Sequence, residues 1–273
     1  MSRTKPSVQL VADSISDTGT RISTFQLNYW RPILPEMNTH RIFSRNAGSS
    51  RAQGFEAKCE EAVSNTFLPG HWNTEQRGMV GGEEFSDEVK DFIDEQITSL
   101  AYRTVEDLKL LDNQIYLHTG KRIHKQYLNR YLEPFVGVTQ LVTSTDWSNF
   151  FKLRLAEDAQ PEIKDVAKEI FDLLEHHEPV SKAGGNWHLP YITLEDFEKY
   201  GLEICRKISV ARCARVSYKA YDGSGDFERD MRLYKRLFES GHMSPFEHVA
   251  TPKKGNFYNL KNWQSLRNIL EAE

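Results

Sequence analysis

The sequence predicts an α/β (α+β) protein, a mixed β-sheet flanked by long helices. Three observations lead there. Four segments carry apolar residues at the i, i+3/i+4, i+7 spacing of a helix buried on one face. Two shorter runs are rich in β-branched and aromatic residues, the signature of strands. No repeat or low-complexity tract interrupts the 273 residues, so the elements are read as one globular unit rather than a solenoid.

The first strand spans residues 21–32, where Ile22, Phe25, Leu27 and Tyr29 are apolar with a break in strict alternation. A polar segment follows at 37–52, and residues 67–82, with four glycines and a proline, read as a loop. Phe85, Val89, Phe92, Ile93, Ile97 and Leu100 form the first helical stripe. Residues 136–145 are β-branched and read as a short strand. Ile163, Val166, Ala167, Ile170, Phe171 and Leu174 form the second stripe. Residues 178–190, with Gly184-Gly185, are the best linker candidate. A third helix covers 195–208 with Thr193 as N-cap. Phe227, Met231, Tyr234 and Phe238 mark a fourth, closed by Gly241 at C′. Lys253 to Gly255 reads as a turn before a last short helix around Trp263.

Composition narrows the function. Thirty-five basic against 39 acidic residues give a net charge of −4, which argues against a nucleic-acid partner while leaving room for a local anion pocket. No apolar run approaches the ~20 residues that span a bilayer, and Met1 to Val11 lack the apolar stretch of a secretory signal. Three cysteines, Cys59, Cys205 and Cys213, suit a reducing cytoplasm and match no metal-ligand spacing. No metal site is expected.

Four constellations could carry chemistry. Residues 39–51 gather Thr39, His40, Arg41, Ser44, Arg45, Asn46, Gly48, Ser49, Ser50 and Arg51. Arginine forks and serine hydroxyls suit phosphate, and a glycine lets backbone amides approach it. A solvated polar loop is the plain alternative. Residues 241–248 hold His242, Ser244, Glu247 and His248 after a helix end; the six-residue histidine spacing does not suit a metal. Asn149 and Arg154 precede a helix that starts near Pro161, and Arg130 stands three residues before Glu133-Pro134. Each of these alone reads equally as a surface feature. Asp17 to Thr20 and His176-His177 carry no assigned role, and Trp187 to Tyr191 is unusual without an explanation.

Together these residues resemble the flavin-dependent thymidylate synthases. His40, Arg41, Ser44, Asn46, Ser49 and Arg51 fall at the offsets of that family's Arg-His-Arg signature. Ala214-Arg215-Val216-Ser217 and His242 to His248 match a second signature; Asn149 to Arg154 with Ala159 to Ile163 match a third, and Arg130 matches an upstream substrate arginine. The motif order is reversed, as in a circular permutation, with one part over 21–177 and the other over 195–273 of a single catalytic domain. Thr39 replaces the first arginine of the signature and Ala47 a glutamate.

The resemblance implies reductive methylation of dUMP at C5 to dTMP in de novo thymidylate synthesis. Methylenetetrahydrofolate gives the carbon, FAD is the cofactor and NADPH reduces it. It places Arg154, His40 and His242 in catalysis; His40, Arg41, Ser44, Thr143, Ser144, Thr145, Asn149, His242 and Ser244 around FAD; and Thr39, Gly48, Ser49, Ser50, Arg51, Arg130 and Arg154 on the nucleotide. It further implies a homotetramer. A cysteine-nucleophile route is disfavoured, because the glutamates around Cys59 raise a thiol pKa and no cysteine sits in a ligand motif. Two alternatives are a flavin- and folate-dependent enzyme with another outcome, such as hydroxymethylation or a different pyrimidine nucleotide, and a non-catalytic flavin or nucleotide binder.

Overall fold

The computed structural model of the protein describes residues 5–182, 186–217 and 225–272. Five strands form the main sheet: β1 (Ser7–Ile15), β2 (Arg21–Trp30), β3 (Ser44–Ala47), β4 (Gly137–Ser144) and β5 (Val180–Ser181), in the order β3-β4-β2-β1-β5. Every pairing is antiparallel except β5 with β1, so the sheet is mixed. A separate antiparallel hairpin joins β6 (Ala250–Phe257) to β7 (Leu260–Ser265). The helices are α1 (Leu34–Asn38), α2 (Phe55–Ser64), α3 (Asp87–Thr119), α4 (Lys125–Leu128), α5 (Ser148–Arg154), α6 (Pro161–His176), α7 (Leu194–Ala214), α8 (Phe227–Glu239) and α9 (Leu266–Leu270).

The sheet is covered on both faces. Phe25, Leu27, Tyr29, Val138 and Val142 pack against Phe150 of α5 and against Ile163, Val166, Ala167 and Ile170 of α6. On the other face, Leu141 packs against Cys213 in the last turn of α7 and Val216 just beyond it. Val138 and Val142 share one face and Leu141 takes the other, as pleating requires. Burial on both faces explains why β2 and β4 break strict alternation: Ile22 and Leu141 are buried on the face opposite Phe25 and Val142, beside the buried Thr24 and Thr143. α2 and α3 form a satellite core with Leu128, Leu132 and Phe135.

The expected helix stripes at 163–174 and 227–238 coincide with α6 and α8. Gly241 takes φ +69°, a left-handed closure that favours glycine. Thr193 caps α7 through a reciprocal box with Asp196. α7 extends beyond the expected 195–208 and bends at Gly201, whose φ is also +69°.

Several expectations are corrected. Trp263 lies in β7, not in a helix: residues 253–255 belong to β6, the chain turns after Phe257, and the short helix is α9. The Trp263 indole N–H donates to the Thr20 carbonyl at 3.0 Å and seats the hairpin on the β1–β2 turn. The linker candidate 178–190 contains β5 and a bridge between His188 and Ala250; its Gly184-Gly185 lies outside the described residues. The polar segment 37–52 holds β3. The first strand stops at Trp30, because Pro32 opens a 3-10 turn at Arg31–Ile33. Residues 67–82 carry no helix or strand of their own.

Candidate functional site

The site is built on two segments that follow β2 and β4. After β2, the 3-10 turn and α1 end at Thr39, which puts His40 beneath Phe43 and Phe150. After β4, α5 carries Arg154 in its last turn back to the same place. The Arg154 Nε donates to His40 Nε2 at 3.0 Å, and its NH2 group donates to Thr39 Oγ1 at 3.1 Å and the Glu36 carbonyl at 3.3 Å. A guanidinium can only donate, so His40 Nε2 accepts and the ring proton of the neutral imidazole sits on Nδ1. Burial, with Arg154 and Arg45 beside it, pushes the His40 pKa down to about 4, so the ring is neutral at pH 7.

A second cluster lies beyond β3. The Gly48 N–H donates to the Thr139 carbonyl at 2.7 Å and prolongs the β3–β4 ladder, so this amide does not face a ligand as its glycine suggested. Arg31 holds the Gly48 carbonyl at 3.0 Å. Glu133 Oε1 accepts hydrogen bonds from the Ser50 hydroxyl and from Arg130 at 3.0 Å, and forms an ion pair with Arg31 at 3.1 Å. Asn129 donates to the carbonyls of Ser50 at 2.7 Å and Gln53 at 3.2 Å and fixes the loop between them. Ser49 is half-buried, and Arg41 and Arg51 are exposed. Several buried polar atoms here have no hydrogen-bond partner among the described residues: Arg31 Nε, Glu36 Oε2, Asn46 Nδ2, Gln53 Oε1 and Asn129 Oδ1. Such atoms are costly to bury unless a ligand engages them.

Ser44 is buried on β3 and lines a cavity of about 230 Å³ with Glu247, Tyr258 and Arg267. Thr143 and Ser144 are fully buried; the Thr143 hydroxyl is taken by Thr24 at 2.6 Å and His248 Nδ1 at 2.8 Å, and that of Ser144 by the Asp146 carbonyl at 2.8 Å. Thr145 is half-buried and accepts from the Lys261 N–H at 3.0 Å. Asn149, His242 and Ser244 are exposed. His242 bonds Ser240 at 2.8 Å, and no hydrogen bond joins it to residues 39–51 among the described residues.

The structure thus gathers Thr39, His40 and Arg154 in one cluster and Gly48, Ser50 and Arg130 in another. Sequence reading did not assign Arg31, Asn129 or Glu133. Glu133 was visible only as an i, i+3 partner of Arg130, a pattern common on helix surfaces. It also gave no account of residues 187–191. His188 proves to be fully buried, bonded through Nδ1 to Ser14 at 2.9 Å and through Nε2 to Thr24 at 2.8 Å. A buried chain of side chains therefore runs from Ser14 through His188, Thr24 and Thr143 to His248.

The cysteines are all free and buried. Burial first, then Glu56, pushes the Cys59 thiol up to about 11, and burial raises Cys205 and Cys213 as well. Among the described residues, no group of three or more His, Cys, Asp or Glu could hold a metal ion, and no helix is long and apolar enough to cross a membrane.

A mixed sheet with helices on both faces, and two arginine-bearing clusters on the loops that leave it, define an α/β protein with basic loop clusters. The chain belongs to the thymidylate synthase complementing protein family (Thy1), whose model matches residues 22–180. That range holds every candidate residue from Thr39 to Arg154 and ends before His242 and Ser244. Among solved structures, the chain is similar to the UMP/dUMP methylase PolB from Streptomyces cacaoi, bound with 5-Br UMP, at 17% identity and a TM-score of 0.47, over 63% of this chain and 89% of that one. It is also similar to the flavin-dependent thymidylate synthase ThyX from Helicobacter pylori, complexed with FAD and dUMP, at 20% identity and a TM-score of 0.35, over 56% and 67% of the two chains. No curated protein sequence matches it.

Proposed function

We propose that the protein methylates dUMP reductively at C5 to give dTMP. Methylenetetrahydrofolate is the carbon donor, FAD the resident cofactor and NADPH its reductant, in a homotetramer of the chain. The observation that carries this reading is Arg154: α5 brings its guanidinium onto His40 and Thr39, inside the segment that defines the family.

The residues fit an anionic, hydrogen-bonding cofactor and substrate. Arg31, Arg41, Arg45, Arg51, Arg130 and Arg154 outnumber Glu36 and Glu133 on these loops. Arg31 Nε and Asn46 Nδ2, donors without a hydrogen-bond partner among the described residues, lie among them. Bound FAD supplies the hydride that completes the methyl group. His40, Arg41, Ser44, Thr145, Asn149, His242 and Ser244 would hold it, and Thr143 and Ser144, buried and already hydrogen-bonded, support the strand beneath. Ser49, Ser50, Arg51 and Arg130 bind the nucleotide phosphate and sugar, with Thr39 and Gly48 shaping the loop. Arg154 stabilises negative charge developing on the pyrimidine, an electrostatic role for a group that never loses its proton. Neutral His40 fixes the direction of that guanidinium without adding a second charge. The buried, raised-pKa cysteines do not suit a nucleophile, which supports the flavin route over a thiolate one.

Thr39 and Ala47, in place of an arginine and a glutamate, favour a second reading: hydroxymethylation, or another pyrimidine nucleotide such as UMP, which the name of PolB gives beside dUMP. The test is product mass. The protein is incubated with methylenetetrahydrofolate, FAD, NADPH and either dUMP or UMP. We expect dTMP from dUMP. A hydroxymethylated product, or turnover of UMP alone, selects the second reading, and FAD binding with both nucleotides returned unchanged leaves a binding protein.

A further inference from the structure

Three groups of the second cluster converge on one atom. Glu133 Oε1 accepts hydrogen bonds from Ser50 and from Arg130 and pairs ionically with Arg31, and these are groups assigned to, or lying beside, the nucleotide phosphate. A single carboxylate oxygen has two lone pairs, so the hydrogen bonds from Ser50 and Arg130 saturate it and Arg31 is held there by charge alone. A phosphate monoester carries two charges and three terminal oxygens, and matches three convergent donors better. Arg31 Nε is a further buried donor without a hydrogen-bond partner among the described residues. The Arg31 side chain is only 10% exposed, whereas that of Arg130 is 55% exposed, so the cluster has a buried floor and an open rim.

We propose that the Glu133 carboxylate is the internal occupant of the subsite that a phosphate monoester takes. Phosphate binding and the Glu133 contacts to Ser50, Arg130 and Arg31 are then mutually exclusive, and Glu133 sets how tightly the protein holds nucleotide relative to nucleoside. The identity of the nucleotide rests on the function proposed above; the subsite itself does not. The carboxylate acts through charge. With Glu133 in place, an incoming dianion meets a fixed anion and must displace it from its donors. With the charge removed, the same donors are released.

The test is calorimetric binding to the FAD-supplemented chain and its Glu133→Gln variant, with dUMP, deoxyuridine and inorganic phosphate as probes. We expect Glu133→Gln to lower the Kd for dUMP and for phosphate on the order of tenfold, the scale of one removed close repulsion near a surface, and to leave deoxyuridine unchanged. Glu133→Asp keeps the charge but retracts it, and gives a smaller gain in the same direction; it carries the test if the glutamine variant does not fold. Weaker dUMP and phosphate binding in folded Glu133→Gln overturns the proposal, because the carboxylate then organises the donors rather than competing for them. Equal change for dUMP and deoxyuridine overturns it too. If the wild-type chain does not bind dUMP while phosphate binding tightens in the variant, the subsite stands and the proposed substrate falls. If dUMP binds and is methylated but neither probe responds to the variant, the subsite falls and the proposed function stands.

Discussion

Arg154 and His40 are coupled through one hydrogen bond, and each sets the state of the other. The guanidinium and the neighbouring Arg45 act together with burial to hold the imidazole neutral. Arg154→Ala removes a charge but not the burial. The His40 pKa then rises from about 4 yet stays below the ordinary histidine value, which an NMR titration of its ring protons reads directly. A pKa unmoved by Arg154→Ala would show that the ring does not sense the guanidinium. In the assay above, Arg154→Ala should lower turnover by roughly 100- to 1000-fold, the scale of a lost electrostatic stabiliser, while FAD content is retained; equal loss of both would count against the assigned role. Arg154 and His40 were each legible because residue types and spacing matched two separate signatures, but the hydrogen bond between them was not. Arg31 was not, since an arginine at a strand end next to a proline carries no pattern, and neither was Glu133, whose significance comes from Ser50 and Arg31, 83 and 102 positions away.

Among the elements, β4 does the most to join the parts. It pairs with β2 on one side and β3 on the other, and its Thr143 lies in the middle of the buried chain from Ser14 to His248. Thr143→Val keeps the shape and removes the hydroxyl, leaving Thr24 and His248 each short of a partner in a dry interior. We expect a loss of about 2–3 kcal/mol in urea unfolding, with Thr143→Ser recovering most of it. Equal stability for the valine variant would mean that the chain contributes nothing net. β2, β4 and α6 were legible because burial imposes a clear apolar pattern on them. β1 was not: a bulge between Leu10 and Ala12 disrupts its alternation. β3 was not, being three polar residues and an alanine whose strand character comes from pairing with β4. α3 was legible as a helix, but the expected stripe is not its packed face: Val89, Phe92 and Leu100 are exposed, and the buried face runs through Lys90, Asp94, Ala101, Val105 and Leu108, polar at its N-terminal end. Trp263 looked helical because Lys253 to Gly255 resemble a turn, yet the actual reversal follows Phe257, with Tyr258 at φ +50°.

At the scale of the molecule, two buried histidines tie the C-terminal segments to the sheet. His188 pairs backbone-to-backbone with Ala250 at 2.8 and 3.2 Å and reaches Ser14 and Thr24 through its ring, while His248 reaches Thr143. Burial pushes both pKa values down to about 3, and that of His40 to about 4. An unfolded histidine titrates near pH 6.5. Below that pH the unfolded chain binds protons that the folded chain refuses, so stability is fully present above about pH 6.5 and falls as the pH drops towards the folded values. The two fully buried rings alone give a limiting slope of roughly 2–3 kcal/mol per pH unit, since one pKa unit corresponds to about 1.4 kcal/mol for each. Asp13, held below the ordinary carboxylate range by Arg21, His177 and Ser23 against its burial, adds its own loss at still lower pH. Asp230 and Glu169, raised by burial, act in the opposite sense from the carboxylate range upward and reduce the net slope. Urea midpoints measured between about pH 7 and pH 5 should therefore fall steadily, well before the carboxylates that acid usually titrates. A flat profile down to about pH 5 would show that the folded protein protonates these rings at their ordinary pKa, and that the joint between the C-terminal segments and the sheet opens without unfolding the rest.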